Sequence, residues 1–308
     1  MRLRAGVVGV GYLGNFHAQK IKANPSAELV GVTDFHRPQA EKVAADLGVR
    51  AFESPEAMIG QVDYVHIAAS TQAHFNLTKL FLENRIPVLV EKPIAATLAQ
   101  AEELCELSEK KQTLLSVGHI ERFNPAFVFL KDRIDGVRFL EINRLAPFRV
   151  RGSDVSVLHD LTIHDIDLVH WLFASPVKEF EVCGTKLIRP TIDDVSLRLQ
   201  LENGVVVTIN NSRITPQIVR NYRAVGSKEV IYTNTATLEA EILKSSANDP
   251  FHTLEKIQIE KRDALALEAD HFVKAVKGEV APAITAREAT LALNLVEKFV
   301  STIEGQKR

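Results

Sequence analysis

The first 120 residues alternate short apolar runs with amphipathic stretches. Short, continuous apolar runs predict buried strands, and stretches with apolar residues at every third or fourth position predict helices. The predicted strands are Leu3–Gly9, Glu28–Asp34, Asp63–Ala68, Pro87–Val90 and Leu114–Val117, and the predicted helices are Tyr12–Ala23, Pro38–Leu47, Ala73–Asn84 and Leu98–Lys111. Apolar strands that alternate with helices are typical of a parallel, doubly wound α/β sheet covered by helices on both faces.

Beyond Phe139 the apolar pattern changes. A strand over Glu141–Val150 and a helix over Leu158–Phe173 precede three runs with apolar residues at about every second position: Lys178–Ile188, Val195–Leu201 and Val205–Asn211. This alternation predicts half-buried strands, and the Asn203-Gly204 pair between the last two runs predicts a hairpin turn. Short strands continue to about Glu260, and the last predicted helices are Ala264–Lys277 and Ala286–Glu304.

The two patterns predict two domains, residues 1–120 and residues 121–308. A length of 308 residues also suits two domains of roughly 150 residues each. The second domain is expected to be α+β, with a large, mostly antiparallel sheet that is open on at least one face. Because such a sheet favours self-association, we expect a homodimer or a homotetramer.

Composition narrows the class of protein. The net charge of −2 gives no general attraction to nucleic acid or to an anionic membrane. No stretch reaches the length of about 18 apolar residues that a membrane-spanning helix needs. The apolar run after the N-terminus is too short and too rich in glycine for a signal peptide, and Cys105 and Cys183 are expected to be reduced, buried thiols. We therefore expect a cytoplasmic protein.

A glycine-rich turn joins the first predicted strand to the first helix. Gly9, Gly11 and Gly14 form a G-x-G-x-x-G pattern, in which the first glycine permits a tight turn, the second lets a pyrophosphate approach the backbone and the third lets the helix pack closely. The N–H groups at the start of the helix would then hold the phosphates. This context predicts a dinucleotide-binding Rossmann domain, and the alternatives are a turn without a ligand or a site for another nucleotide.

Asp34 ends the second predicted strand, 20 residues after Gly14. A carboxylate at this place can accept hydrogen bonds from both ribose hydroxyls and would repel a 2′-phosphate, which favours NAD over NADP. Arg37 follows closely and would weaken that preference.

The fourth predicted strand leads into Glu91-Lys92-Pro93. Ligands of doubly wound sheets lie beyond the carboxyl ends of the strands, so Lys92 is expected to face the cofactor pocket. The alternative is a surface lysine before a proline turn.

The segment from His159 to Trp171 is the richest in polar chemistry. Asp160 and His164 are four residues apart and share one helix face. One interpretation is a general base, since the ordinary pKa of histidine, near 6.5, suits proton transfer from a hydroxyl. A solvated helix is the second, and a metal site is disfavoured because no third ligand stands at a recognisable spacing.

The order and spacing of G-x-G-x-x-G, Asp34, Glu91-Lys92-Pro93 and Asp160-x-x-x-His164 resemble those of the Gfo/Idh/MocA family of dehydrogenases, over essentially the whole chain. The resemblance implies a nicotinamide-dependent oxidoreductase acting on a secondary alcohol of a sugar, cyclitol or sugar nucleotide. It implies Lys92, Asp160 and His164 as the catalytic residues, without deciding whether Lys92 or His164 accepts the proton. A non-catalytic dinucleotide sensor on the same fold remains a rival, although it would be expected to lack Lys92 or His164.

The expected cofactor site comprises Gly9, Gly11, Tyr12, Leu13, Gly14, Asp34, Arg37, Ala69, Thr71, His74, Glu91, Lys92 and His119. The expected substrate site comprises Arg122, Asn124, Arg149, Asp160, His164 and Arg213. No metal is expected.

Two further runs bear on the substrate. Arg122-Phe123-Asn124-Pro125 matches a run near the substrate in family members, and Ser212-Arg213 with Arg220 resembles a subgroup that oxidises the 3-hydroxyl of UDP-N-acetylhexosamines. A diphosphate would need cations, and the candidates are Arg144, Arg149, Arg151, Arg213 and Arg220. The alternatives are exposed strand arginines for these residues, and a free sugar or inositol as the substrate.

Overall fold

The computed structural model describes residues 2–149, 155–246 and 249–306. The chain divides into two compact units, residues 1–120 with 263–291 and residues 121–262 with 292–308. The predicted domain boundary after residue 120 coincides with a boundary between the units. Residues 263–291 belong to the first unit, whereas the sequence pattern placed them in the second.

The first unit contains a six-stranded sheet in which every pair of neighbouring strands is parallel. The strand order is β3-β2-β1-β4-β5-β6. Its elements are β1 (Leu3–Val8), α1 (Tyr12–Ala23), β2 (Ala27–Thr33), α2 (Arg37–Leu47), β3 (Arg50–Ala51), β4 (Tyr64–Ile67), α3 (Thr71–Glu83), β5 (Val88–Glu91), α4 (Leu98–Lys111), β6 (Leu115–Gly118) and, later in the chain, α7 (Ala264–Val276). The predicted doubly wound sheet is thereby confirmed.

The core of this unit follows the apolar pattern. Strands β4 and β5 and the edge strand β6 are buried at every position, as expected of strands covered on both faces. From α7, Phe272 and Val273 pack with residues of β1, α1 and β2 in a single apolar cluster. The two-residue strand β3 was not predicted, because it is too short to carry a periodic pattern.

The second unit contains an eight-stranded sheet of order β14-β13-β12-β11-β7-β10-β9-β8. Its elements are α5 (Pro125–Lys131), β7 (Val137–Leu145), α6 (Ile163–Phe173), β8 (Val177–Thr185), β9 (Asp194–Leu201), β10 (Val206–Ser212), β11 (Val219–Gly226), β12 (Glu229–Asn234), β13 (Glu239–Ser246) and β14 (Asp249–Gln258). Every pairing is antiparallel except that of β10 with β7. The predicted large, mostly antiparallel sheet is confirmed.

The hairpin between β9 and β10 agrees with the prediction in detail. Gly204 adopts a positive φ of 88°, a conformation that hairpin loops commonly assign to glycine. The alternate apolar residues of both strands are buried, from Val195 to Leu201 on β9 and at Val207 and Ile209 on β10, as is Val205 just before β10.

Three predictions for the second unit are wrong in detail. The strand predicted over Glu141–Val150 begins at Val137 and ends at Leu145, and residue 150 lies outside the described residues. The helix predicted from Leu158 opens with a π turn over Leu158–Thr162, where the N–H of Ile163 bonds to the carbonyl of Leu158, five residues back. Cys105 is buried as expected, but Cys183 is exposed because it lies on an outward-facing position of the edge strand β8.

The last helix, α8 (Ala286–Gly305), begins in the first unit and continues in the second. Within the ranges that the structure describes, no helix combines the length and the apolar content required to cross a bilayer.

Candidate active site

The glycine-rich turn between β1 and α1 assigns a different task to each of its three glycines. Gly9 has a positive φ of 81°, and a Cβ there would lie 2.6 Å from the backbone nitrogen of Ala69. A Cβ on Gly14 would lie 1.8 Å from the carbonyl oxygen of Gly9, so α1 packs directly on the turn. A Cβ on Gly11 would meet nothing within 4 Å. Gly11 therefore leaves an open cradle, of the kind that lets a pyrophosphate reach the backbone.

The start of α1 suits an anion. Gly11 is the N-cap of this helix and supplies no side-chain cap for the first N–H groups, which are the donors that bind phosphates at helix N-termini. Tyr12 is exposed and Leu13 is half-buried at the same end. These residues fit the phosphates of a dinucleotide.

Asp34 follows β2 and ties the glycine-rich turn to the next helix. Its Oδ2 accepts a hydrogen bond of 2.7 Å from the N–H of Val10, and its Oδ1 accepts one of 2.8 Å from the N–H of His36. Each carboxylate oxygen can accept a second hydrogen bond, so the half-buried Asp34 can still bind ribose hydroxyls. Arg37 instead donates to Glu41, one turn along α2.

The remaining predicted cofactor residues differ in exposure. Ala69 and Thr71, at the end of β4 and the start of α3, are half-buried, whereas His119, just after β6, is buried. His74 is also buried, and its Nδ1 and Nε2 lie 2.8 Å and 3.1 Å from the carbonyl oxygens of Pro93 and Ala69. Burial lowers the pKa of His74, although the two carbonyl contacts raise it, and the ring links the segments that carry Ala69 and Pro93.

Glu91 and Lys92 stand at the carboxyl end of β5, as predicted. Oε1 of Glu91 accepts a hydrogen bond of 2.8 Å from Nε2 of His17, and Oε2 accepts the backbone N–H of Lys92 at 3.3 Å. A Cβ on Gly118 would lie 2.9 Å from this carboxylate. Burial raises the pKa of Glu91, but the hydrogen bond and charge of His17, with the charge of Lys92, bring it below its usual value. Lys92 therefore follows a fixed, negatively charged neighbour.

Asp160 and His164 lie in the second unit, at the junction of the π turn with α6, and both are half-buried. Since a π turn is wider than an α turn, four residues fall slightly short of one turn, and the two side chains still share a side of the helix. Single π turns inside α-helices are frequent at functional sites. The neighbouring His159 is engaged within the protein, with Nδ1 at 2.8 Å from Oγ of Ser156 and Nε2 at 2.8 Å from Oε1 of Glu297.

The arginines of the predicted substrate runs are paired with buried carboxylates. Arg122, a predicted substrate residue, donates two hydrogen bonds, of 2.9 Å and 2.6 Å, to Asp167. Arg144 forms a salt bridge with Glu121 at 2.6 Å and another with Asp165 at 2.8 Å. These guanidinium charges are compensated by the protein itself.

Other candidate substrate residues also have structural partners. The side chain of Asn124 caps α5 by accepting the N–H of Ala126, and it donates to Glu121. Arg213 is buried and donates to Asp193, Val155 and Thr191.

Three arginines of the diphosphate hypothesis are placed differently. Arg149 is exposed, and Arg151 lies outside the described residues. Arg220 is half-buried, and burial followed by the charge of Arg144 lowers its pKa. Among the arginines of the diphosphate hypothesis that the structure describes, Arg149 and Arg220 are the ones that are not buried.

Sequence reasoning missed four residues near the glycine-rich turn and β5. His17, His66 and Glu268 are ionisable residues inside otherwise apolar faces of α1, β4 and α7, and all three are buried. An ionisable residue at a buried position of an element is the signal that could have revealed them. Phe35, beside Asp34, is fully exposed, and an exposed aromatic next to this candidate cofactor residue is itself a candidate for contact with a cofactor ring.

Two family models match the chain. One, described as an oxidoreductase family with an NAD-binding Rossmann fold, matches residues 3–119, and the other, the GFO/IDH/MocA C-terminal domain, matches residues 142–232. Among curated proteins, the UDP-N-acetylglucosamine 3-dehydrogenase of Acidithiobacillus ferrooxidans is 33% identical over 90% of this chain and 89% of its own length. The myo-inositol 2-dehydrogenase of Thermotoga maritima is 27% identical over 99% of this chain and 97% of its own length.

Solved structures agree. A structure of the Acidithiobacillus ferrooxidans enzyme superposes with a TM-score of 0.91 at 30% identity, covering 99% of this chain and 98% of that one. Both halves of the chain thus match one family, in sequence and in fold. The chain belongs to the Gfo/Idh/MocA family of NAD-binding oxidoreductases.

Proposed function

We propose that this oxidoreductase is an NAD-dependent dehydrogenase that oxidises the 3-hydroxyl of a UDP-N-acetylhexosamine. One observation carries the choice of substrate: identity to a UDP-N-acetylglucosamine 3-dehydrogenase is 33%, against 25% and 27% for two inositol dehydrogenases that align over similar lengths. The half-buried Arg220 and the exposed Arg149 are the cations available to a diphosphate.

NAD is proposed as the cofactor rather than NADP. Asp34 keeps its carboxylate at the end of β2, where it would accept ribose hydroxyls and repel a 2′-phosphate. Arg37, which could pair with that phosphate, is turned towards Glu41. A direct comparison of the affinities for the two dinucleotides tests this choice.

In the proposed mechanism, Lys92 donates a hydrogen bond to the reacting oxygen and stabilises its developing negative charge. His164 accepts the hydroxyl proton, and Asp160 orients His164 or binds a neighbouring hydroxyl. Bound NAD supplies the acceptor for the hydride. The alternative exchanges the roles of Lys92 and His164, with Lys92 accepting the proton.

Replacement of the two proposed acid–base groups tests the mechanism. Lys92→Ala and His164→Ala should each lower kcat by about 10²-fold or more, because each removes proton transfer or charge stabilisation in the transition state. The affinity for NAD, measured by titration, should persist. Arg149→Ala removes an exposed cation, and its effect on KM would distinguish loss of substrate binding from loss of catalysis. Near-normal turnover in either alanine variant would overturn the assignment.

A second candidate function is oxidation of inositol or a free sugar, favoured by the inositol dehydrogenases that align over nearly the full chain. NADH formation, followed by absorbance, separates the two. We expect a signal with UDP-N-acetylglucosamine or another UDP-N-acetylhexosamine. Turnover of inositol or glucose without turnover of any UDP-sugar would reverse the order.

We also propose that the chain forms a homodimer or a homotetramer. The large sheet of the second unit has a hydrogen-bonded row of polar side chains on a partly exposed face, in which Ser196 donates to Asn210, Asn210 to Asn143 and Asn143 to Asn221. Light scattering of the purified protein measures its mass in solution, and a monomer would contradict the proposal.

A further inference from the structure

Four ionisable side chains from four different elements meet in the interior of the first unit. They are His17 of α1, His66 of β4, Glu91 of β5 and Glu268 of α7, and each is at most 8% exposed. His17, Glu91 and Glu268 each offer one nitrogen or oxygen atom that could bind a metal, and these atoms all lie within 4.8 Å of one another. We call these four residues the interior cluster.

Three members of the interior cluster are linked in a row. Nε2 of His17 donates to Glu91 at 2.8 Å, and Nδ1 of His17 lies 3.0 Å from Nδ1 of His66. Burial, and then the charge of His17, lowers the pKa of His66 well below its usual value. His66 is therefore neutral.

Glu268 is different from the other three. It is 2% exposed, and neither of its carboxyl oxygens has a hydrogen-bond partner among the residues that the structure describes. An ionised carboxylate in such surroundings would be very costly, and the nearby negative charge of Glu91 adds to that cost. Burial and the charge of Glu91 indeed raise the pKa of Glu268 well above its ordinary value.

We propose that Glu268 is a positioning residue that stays protonated at neutral pH and, through its carboxyl proton, holds the Glu91 carboxylate that precedes Lys92. The spacing of up to 4.8 Å between the groups is one that a single buried water can bridge. A protonated Glu268 then places no second negative charge beside the Glu91 carboxylate. This role rests on the proposed function of Lys92.

The same three ligand atoms could in principle surround a divalent cation. However, Nε2 of His17 already forms a hydrogen bond of 2.8 Å with Glu91. The existing geometry therefore favours the proton over the metal. Metal content of the purified protein distinguishes the two, since one equivalent of metal that is lost in Glu268→Gln would overturn the proposal.

The first experiment detects the proton on Glu268 from the pH dependence of the unfolding constant. Glutamine has the size of a protonated glutamate but cannot ionise, so the unfolding constants of the wild type and Glu268→Gln should diverge with pH. Above the pKa of an unfolded-state glutamate, near 4.3, the unfolding constant of the wild type should rise about tenfold per pH unit relative to that of the variant. This rise should end at the pH at which Glu268 ionises in the folded protein. The other titratable groups around it, His17, His66, Glu91 and Tyr64, are common to both proteins.

Urea denaturation at several pH values makes this measurement. Glu102→Gln, which removes an exposed carboxylate of α4, is the control and should show no such divergence. Parallel pH profiles for the wild type and Glu268→Gln would show that Glu268 ionises normally and would overturn the proposal. This arm requires no enzymatic activity, so it reads Glu268 even if the proposed substrate is wrong.

The second experiment tests the positioning role of Glu268 by steady-state enzyme kinetics. Glu268→Gln should keep kcat within about threefold of the wild type, whereas Glu268→Met, of similar shape but without hydrogen bonding, should lower kcat by about tenfold to a hundredfold. The KM for substrate and the affinity for NAD should change much less than kcat. Equal kcat values in folded Gln and Met variants would overturn the positioning role.

Discussion

At the scale of single residues, the buried charges of the second unit are neutralised by partners far away in the sequence. Arg122 and Asp167 are 45 residues apart, and Arg213 and Asp193 are 20 apart. Sequence reasoning identified the arginines as cations near a candidate substrate run, but no local spacing could reveal their partners. Removing one partner of such a buried pair costs about 3–5 kcal/mol, because it leaves the other charge unpaired.

Asp193 gives the clearest pH dependence of stability. Burial raises the pKa of its carboxyl, but the backbone N–H groups of Leu187, Ile188 and Arg189 and the side chain of Arg213 together hold it at about 2. Because folding lowers this pKa from 3.8 to about 2, the ionised form contributes about 2 kcal/mol of stability. That contribution is complete above pH 3.8 and is lost as the pH falls through about 2.

We therefore expect Asp193→Asn to be destabilised at pH 6, and the difference from the wild type to shrink as the pH falls below 4. Urea denaturation of both proteins, from pH 6 to the lowest pH at which both fold, measures this difference. Asp194→Asn is the control for the loss of one negative charge. A difference that does not depend on pH would contradict the explanation.

At the scale of elements, the sequence predicted helices correctly where the apolar pattern is long. It failed where a tertiary contact determines the local structure. The limits of α1 and α4 agree with those predicted from the apolar repeat. The N-cap and the first-turn proline of α5 are Asn124 and Pro125, a pair that the sequence analysis attributed to substrate binding. The π turn before α6 could not be predicted, because one shifted hydrogen bond leaves the sequence pattern almost unchanged. The candidate catalytic pair lies at this turn.

The turn between β1 and α1 supports a paired prediction. Gly14→Ala should prevent a stable fold or lower the melting temperature severely, because its Cβ would lie 1.8 Å from a backbone oxygen. Gly11→Ala should fold normally, since its Cβ would meet nothing within 4 Å, but should weaken NAD binding by about tenfold or more, equivalent to about 1.4 kcal/mol. Thermal denaturation and NAD titration measure the two effects, and unchanged affinity in Gly11→Ala would contradict the assignment of the cradle.

At the scale of the whole molecule, the first unit is completed by a segment that lies between the two parts of the second unit in sequence. Residues 263–291 return to the first unit, where Phe272 and Val273 of α7 are buried in its apolar cluster. The helix α7 was predicted, but the unit in which it packs was not, because an apolar helix face does not specify which hydrophobic core it will join.

This topology predicts how fragments behave. Residues 1–120 alone would expose the apolar surface that α7 covers, with Phe272 in ring contact with Tyr64 and His66. We expect this fragment to show no cooperative thermal transition by circular dichroism. Joining residues 263–291 to residue 120 through a flexible linker should restore cooperative unfolding and NAD binding, and NAD at 100 times its Kd should then add about 2.7 kcal/mol of stability. Equal cooperativity in the two fragments would mean that α7 is dispensable, because strands β1 to β6 and their own helices would then suffice to bury the core.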